Sequence, residues 1–321
     1  MREVVFLKRN EKKWRQVEDI IASKQQVDAD RMGELFIELN DDLAYSRTNY
    51  GDTKVTHYLN GLTSSIYQTI YNNRKEKSNR FLDFWKTELP LAVYEARNQF
   101  LYPFLFFVSC CLIGVVSTSY DESFPRMILG NEYIDMTLSN IEKGDPMAVY
   151  KDSESTLMFF QITLNNIRVS FWTFISGIFF SLGTYWFLFK NGIMLGTFQW
   201  FFYKKGLLWT SFLTIWIHGT IEISCIIIAG ASGIILGNSF MYPGTNKRLV
   251  SLQKGARRAT KVFLGIIPFI IAAGFLESFV TRLTEHHWSI RLGIITLSLS
   301  FVVLYFIIYP RKIAKQMSDE V

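Results

Sequence analysis

The sequence predicts an all-α polytopic membrane protein, with about six membrane-embedded helical segments behind an N-terminal cytoplasmic helical region. Of the 321 residues, 49% are hydrophobic and 16% are aromatic, and the mean hydropathy is positive, so we do not expect a single soluble domain to hold all of them. Apolar runs dominate after Phe100, and several approach the roughly 20 residues that cross a bilayer. Residues 1–97 instead hold sixteen Lys/Arg and fifteen Asp/Glu. We therefore divide the chain into a cytoplasmic region, 1–97, and a transmembrane domain, 98–321.

The N-terminal region is predicted to form roughly three or four amphipathic helices, because its apolar residues recur at helical spacing. These positions are Trp14, Val17, Ile20 and Ile21, then Met32, Leu35, Phe36 and Leu39, then Leu59, Leu62, Ile66 and Ile70. The segment NYGD at 49–52 breaks the pattern. The chain begins MREVVFLKRNEKKW, which turns charged before a signal-peptide core can form, so we expect a cytoplasmic N-terminus.

The first crossing is predicted at 100–119, and an acidic segment, 120–156, follows it. That segment has eight acidic residues and three basic ones. Because loops poor in Lys/Arg tend to lie outside, we place it on the outer face. A second crossing is expected at 167–189. The following NGIMLGTFQWFFYKK, 191–205, is apolar but broken by glycine, and we interpret it as an interfacial or re-entrant piece.

A basic loop fixes the predicted orientation of the rest of the domain. Residues 238–261 contain six Lys/Arg and no acid, a pattern typical of cytoplasmic loops. The lysines at 190, 204 and 205 assign the preceding connection to the same side. Two last crossings, 262–280 and 290–309, then return the chain to a basic end. The predicted protein is thus a multi-pass cell-membrane protein with both termini in the cytoplasm.

Between the two cytoplasmic connections, the chain must leave the inner side and return. The segment 207–217 is about 16 Å long as a helix, too short to cross, whereas 221–237 reaches about 25 Å. We therefore predict a re-entrant hairpin that turns at His218-Gly219. Two full spans remain the alternative if the first segment is extended by 198–203.

Composition also excludes several function classes. The net charge is +6, but the basic excess flanks membrane runs, where topology and lipid headgroups account for it, so no nucleic-acid partner is expected. Cys110, Cys111 and Cys225 lie inside apolar runs and read as small hydrophobic residues. The sequence therefore predicts no disulfide framework, no metal and no cofactor, with the lipid bilayer as the first partner.

Several polar residues occupy apolar segments, where a charged group costs about 2.5–3.5 kcal/mol and normally has a partner. We predict that they form one intramembrane polar cluster: His218, Glu222, Glu277, Thr281, Asn165, Asn166 and Asn191.

The same stretch, IWIHGTIEISCIIIAGASGIILG, also carries small residues at helix-packing spacing. On a helix, the side chains of His218 and Glu222 share a face with the series Ala229, Gly233, Gly237. A second stripe runs Ala273, Glu277, Thr281. We expect the two stripes to face each other, and we assign helix packing to Ala229, Gly230, Gly233, Gly237 and Gly274. Such grooves suit contacts within one chain and a homo-oligomer equally well.

Three interpretations of the cluster stay open. A structural cluster would fix helix register. A transport or proton-relay site would use a histidine and carboxylates that change charge. An intramembrane hydrolase would use Glu222 as a base and His218 as a metal ligand, although HGTIE is not the HExxH zinc motif.

The motif HGTIEISCIIIAGASGIILG resembles the signature of the stage II sporulation protein M family. Asn165-Asn166, Asn191-Gly192 and AGFLESFVT at 273–281 are similar to family motifs and follow in family order. The resemblance implies an integral membrane protein without enzymatic activity, whose namesake works with peptidoglycan hydrolases in an envelope-remodelling complex. We therefore expect a scaffold in a cell-envelope complex with other membrane proteins as partners, and a transporter or channel for a small solute, ion or lipid as the alternative. The long acidic segment and the large N-terminal region depart from the namesake and suggest different partners.

Overall fold

The computed structural model describes residues 2–23, 29–72, 80–150, 154–282 and 287–319, so residues 151–153 of the acidic segment lie outside it. Every regular element in these ranges is helical. The chain divides into two compact units, Met1–Arg80 and Phe81–Val321.

The N-terminal unit contains three helices: α1 (Glu3–Ser23), α2 (Ala29–Tyr50) and α3 (Lys54–Asn72). Their buried residues form one core, which includes most of the positions with helical spacing: Phe6, Trp14, Val17, Ile20, Met32, Leu35, Leu39, Leu43, Val55, Leu59, Leu62 and Ile66. Gly51, with φ +64°, makes the predicted break between α2 and α3. A hydrogen bond between side chains joins α1 to α2 at the edge of this core, where Trp14 Nε1 donates to Asp42 Oδ2 at 2.8 Å.

The second unit begins earlier than predicted. Residues 81–97, assigned above to the cytoplasmic region, pack with the membrane helices through α4 (Arg80–Asp83), a π-helical turn (Phe84–Glu88) and α5 (Leu89–Glu95). Leu89 and Val93 are buried in the core of this unit. The charge count did not reveal this packing, because two acidic residues here form ion pairs with α12: Glu88 with Lys261 at 2.7 Å and Glu95 with Arg258 at 2.6 Å.

Four helices of the described residues are long and apolar enough to cross a membrane. They are α6 (Arg97–Tyr120), α11 (Leu208–Met241), α12 (Arg248–Phe275) with its π-helical continuation Leu276–Val280, and the stretch Trp288–Asp319, which contains α13 (Trp288–Val303), a π-helical turn (Leu304–Ile308) and α14 (Tyr309–Asp319). Between the first two lie α7 (Phe124–Leu129), α8 (Asn131–Glu142), α9 (Ser155–Ile175) and α10 (Leu182–Lys204).

The predicted re-entrant hairpin is wrong, because α11 is one continuous helix that runs straight through His218 and Gly219. The prediction failed because it fixed both ends of the segment on the same side of the membrane. α11 is also the central helix of the unit. In its most apolar stretch, 78% of the residues are buried, against 11% in Trp288–Asp319, and it packs against α6, α9, α10, α12 and α13.

The predicted second crossing at 167–189 is divided by a turn. α9 ends at Ile175, a 3₁₀ turn covers Ser176–Ile178, and α10 then includes all but the last residue of 191–205, the piece predicted to be interfacial or re-entrant. Phe180 and Ser181 have positive φ values of 54° and 63°. Hydropathy missed this turn because the apolar residues continue through it.

The C-terminal end of α10 lies beside the acidic segment. Phe201 and Phe202 share a core with Ile134 of α8 and Met147. The turn between α9 and α10 instead contacts Gly233 and Gly237, near the end of α11 that leads into the basic loop. The charge of Lys204 and Lys205 predicted that they lie on the same side as the basic loop. They lie instead at the other end of α10, beside the acidic segment. Lys204 lies close enough to Asp121 to help lower the pKa of that carboxyl, after the larger effect of two hydrogen bonds from Ser123.

Candidate polar centre in the membrane unit

Three of the predicted polar residues meet at the contact between α11 and α12. His218 and Glu222 are one turn apart on α11, and Glu277 lies in the π-helical continuation of α12. One ligand atom from each lies within 4.8 Å of the other two. The His218 and Glu277 side chains are 5% and 14% exposed, with Nε2 and Oε1 3.7 Å apart. We call His218, Glu222 and Glu277 the polar centre.

The π-helical turn also brings Thr281 to the histidine. The Thr281 backbone N–H donates to Leu276 O at 2.8 Å, across the five-residue spacing of a π-helix. The Thr281 hydroxyl donates to the same oxygen at 3.1 Å. Its oxygen then accepts a hydrogen bond from His218 Nδ1, also at 3.1 Å. In the neutral imidazole, the hydrogen is therefore on Nδ1, and Nε2 presents its lone pair on the side of Glu277.

A cavity of about 340 Å³ reaches the polar centre from one side. His218, Gly219 and Glu222 contribute to its wall, and so does Asn191 of α10. The remaining lining is apolar and comes from Phe107, Ile128, Leu129, Tyr133, Met194, Leu195, Phe198, Ile215, Ile223 and Ile226. A partly buried carboxylate and a buried imidazole thus line one cavity together with an amide side chain and mainly apolar neighbours.

Sequence reasoning missed the residues that line this cavity at the acidic-segment end. Ile128 and Leu129 come from α7, and Tyr133 comes from α8. Burial raises the pKa of the Tyr133 hydroxyl above its ordinary value. The available signal was the presence of Ile128, Leu129 and Tyr133 in an otherwise polar, acidic segment. A fully solvated loop does not need large apolar side chains, so these residues indicated packing against the membrane unit.

The asparagines of the predicted cluster lie on two helices, α9 and α10. Asn191 lines the cavity, and its side-chain amide donates to Phe187 O at 2.8 Å. Asn165 and Asn166 lie together on α9, with Nδ2 and Oδ1 3.5 Å apart, and Asn166 is buried. Within the described ranges, no hydrogen bond joins either of them to the polar centre. Helical periodicity cannot place residues of different helices relative to one another, so the grouping of these two with the polar centre stays a prediction.

The glycines of α11 do not face the Glu277 stripe as predicted. A Cβ on Gly230 would lie 3.0 Å from Leu188 and 3.1 Å from Pro103, on α10 and α6. Gly233 and Gly237 contact the end of α9 and the α9–α10 turn, and Ala229 is fully buried. Gly274 of α12 lies against Thr163 of α9. The glycine groove is therefore filled by the chain's own helices, and only the polar ends of the two stripes meet.

The two carboxylates of the polar centre have no basic counter-charge from lysine or arginine among the described residues. In the portion of the chain that the structure describes, no lysine or arginine nitrogen lies within 4.0 Å of a carboxylate oxygen of Glu222 or Glu277. Buried acids in an apolar setting usually have a cationic partner or bind a proton. The arrangement can therefore hold a proton or a metal cation.

A sequence model of a family described as stage II sporulation protein M matches residues 103–282, more than half of the 321-residue chain. This range contains the whole polar centre and every residue that lines the cavity. A second model, described as a domain of unknown function (DUF8413), matches residues 4–72. No curated protein and no solved structure matches the chain.

Proposed function

Because the chain belongs to the stage II sporulation protein M family, we propose that it is a multi-pass protein of the cell membrane in which six helices cross: α6, α9, α10, α11, α12 and α13. The packing of the α9–α10 turn near the basic loop, and of the other end of α10 near the acidic segment, supports two full crossings here. With the basic loop inside, both termini lie in the cytoplasm and α7–α8 lie outside.

The function that best fits the polar centre is the passage of a small cation or polar solute through the membrane unit. The observation that carries this proposal is the cavity, since it brings His218 and Glu222 into contact with a space of about 340 Å³. A cluster that served only to fix helix register would be filled by side chains, because protein interiors are close-packed. The solute would enter beneath α7–α8 and meet the two side chains at the cavity wall.

A scaffold role in a cell-envelope complex is the second candidate. It is supported by family membership and by the separate N-terminal unit, whose compact core gives the chain a folded surface outside the membrane unit. Partners would be other envelope membrane proteins or a second copy of this chain. A homo-oligomer would use surfaces other than Gly233 and Gly237, which already contact this chain's own helices. Neither candidate requires the chain to catalyse a covalent reaction.

The two candidates are separated by Glu222→Gln, which keeps the shape of the side chain and removes its charge. Purified protein in proteoliposomes is assayed for pH-dependent cation flux, and the same variant is assayed for co-purification with membrane partners. Passage predicts that the variant assembles normally and loses flux. Glu132→Gln, an exposed acid on α8, is the matched control and keeps both properties. No flux from the unaltered protein, with assembly lost in Glu222→Gln, would favour the scaffold.

A further inference from the structure

We propose that His218, Glu222 and Glu277 bind one divalent transition-metal ion of the Zn²⁺ class. The inference rests on the proposal that the polar centre receives a cation, and it specifies which cation. It requires binding at equilibrium and no transport.

The spacing of the three groups fits ligands of a single ion. In a tetrahedral zinc site with bonds of about 2.0–2.2 Å, neighbouring ligand atoms lie roughly 3.4 Å apart. His218 Nε2 and Glu277 Oε1 are 3.7 Å apart, longer than a hydrogen bond and close to that edge. One atom from each of the three residues falls within 4.8 Å of the others. Small side-chain rotations bring all three to ligand distance.

The histidine is oriented as a metal ligand. Metal-binding histidines usually donate the second ring N–H to a fixed oxygen, which sets the tautomer and aims the other nitrogen at the ion. Here Nδ1 donates to Thr281 Oγ1 at 3.1 Å, and Thr281 is fixed in turn by Leu276 O. Nε2 lies on the side of Glu277, 3.7 Å from Oε1, where a shared metal ion would sit. Thr281 is a positioning residue in this arrangement.

The formal charge of the three ligands and the access from the cavity also fit a divalent cation. Two carboxylates and a neutral imidazole carry a formal charge of −2, which one divalent cation balances without a lysine or arginine. His218 and Glu222 also face the cavity, so the fourth coordination position opens toward it. Three protein ligands with an open fourth position are typical of zinc sites that bind water or a solute. One imidazole nitrogen in the set favours Zn²⁺ or Co²⁺ over Mg²⁺ and Ca²⁺, which prefer oxygen ligands.

The test is metal binding by the full chain, purified in detergent and stripped with a chelator. Zn²⁺ is titrated by calorimetry, and Co²⁺ by its visible absorption, which is intense only in tetrahedral sites. We expect one ion per chain, competition between the two metals, and loss of both signals in Glu277→Gln. Glu132→Gln should bind as the unaltered protein does. Thr281→Val keeps all three ligands and should weaken binding by about 10- to 100-fold, whereas Thr296→Val, an exposed hydroxyl on α13, should not.

Each result decides the inference. If the stripped, unaltered protein binds neither metal stoichiometrically, or if Glu277→Gln binds as tightly as the parent, the polar centre holds protons and the proposal is overturned. Should Glu277→Gln fail to fold, the Co²⁺ spectrum of the parent and the affinity of Thr281→Val still decide. Metal binding without flux in proteoliposomes would overturn the transport proposal and support the metal site. Proton or potassium flux without metal binding would support transport and overturn the metal site.

Discussion

Gly233 lies where three helical segments meet. A Cβ at this position would overlap the Thr184 hydroxyl and would come within 2.8 Å of Thr173 O. Those two groups are already bonded to each other, since Thr184 Oγ1 donates to Thr173 O at 2.8 Å. No side chain can be added without separating α9 from α10 or lifting both from α11. The glycine is therefore required by packing, although its backbone is ordinary helix.

Gly233→Ala should destabilise the membrane unit by about 1–3 kcal/mol, the usual range for an overpacked core. The measurement is the fraction of monodisperse protein in detergent and the midpoint of its thermal unfolding. Gly293→Ala on α13 is the matched control, because a Cβ there meets nothing within 4 Å, and it should leave the midpoint unchanged or raise it. Equal midpoints for the two variants would show that the contact at Gly233 is looser than described.

The helices of the N-terminal unit follow their sequence pattern closely. On α2, Leu39 is fully buried and Ile37, two residues away, is 62% exposed. Helical periodicity separates these positions onto opposite faces, and only one face contributes to the core.

Leu39→Ala should cost the N-terminal unit about 2–5 kcal/mol, since it removes a buried side chain and leaves a cavity. Ile37→Ala, its control on the same helix, should change stability by less than about 0.5 kcal/mol. Limited proteolysis of the full chain, with cleavage mapped to residues 1–80, measures the difference. Similar cleavage of the two variants would contradict the orientation of α2.

The continuous α11 makes a separate prediction at Gly219. A Cβ there would lie 3.6 Å from Ile215 Cγ2, an ordinary contact, and alanine favours helix over glycine by about 1 kcal/mol. Gly219→Ala should therefore keep or raise the unfolding midpoint in detergent. A tight turn at His218-Gly219 would require the glycine instead, and a large loss of folded protein would indicate it.

The contrast between α2 and α11 shows what could be predicted from the sequence. Periodicity identifies buried faces, so the core of the first three helices and the pairing of His218 with Glu222 follow directly. The cost of a carboxylate in lipid indicated that Glu277 would join them. Three features could not follow. The α9–α10 turn lies inside an uninterrupted apolar run, the π-helical turn places Thr281 outside regular helical register, and the cavity depends on how α7 and α8 pack.

Across the whole unit, the acidic segment and the C-terminal end of α10 lie together, and the basic loop lies near the α9–α10 turn. Charge patterning alone put Lys204 and Lys205 with the basic loop, because it weighed each lysine without its neighbours. Asp121 supplies the compensating charge at that end.

This arrangement predicts which positions react with a membrane-impermeant maleimide in intact cells. In a background with Cys110, Cys111 and Cys225 replaced, cysteines at Lys205 and Glu122 should be labelled, and a cysteine at Asn246 should react only after permeabilisation. A cysteine at Lys205 that behaves like the one at Asn246 would restore the re-entrant topology and contradict the course of α10.

The close packing of the α9–α10 turn against α11 limits how these helices can move. The backbones of Gly177 and Gly233 are in contact, so α11 cannot slide or rotate relative to this turn without breaking that contact. α9, α10 and α11 would therefore move together in any conformational change that opened the cavity toward the opposite face. A conformational change that separated Glu277 from His218 would have to shift α12 relative to this three-helix group, because the polar centre joins the two parts.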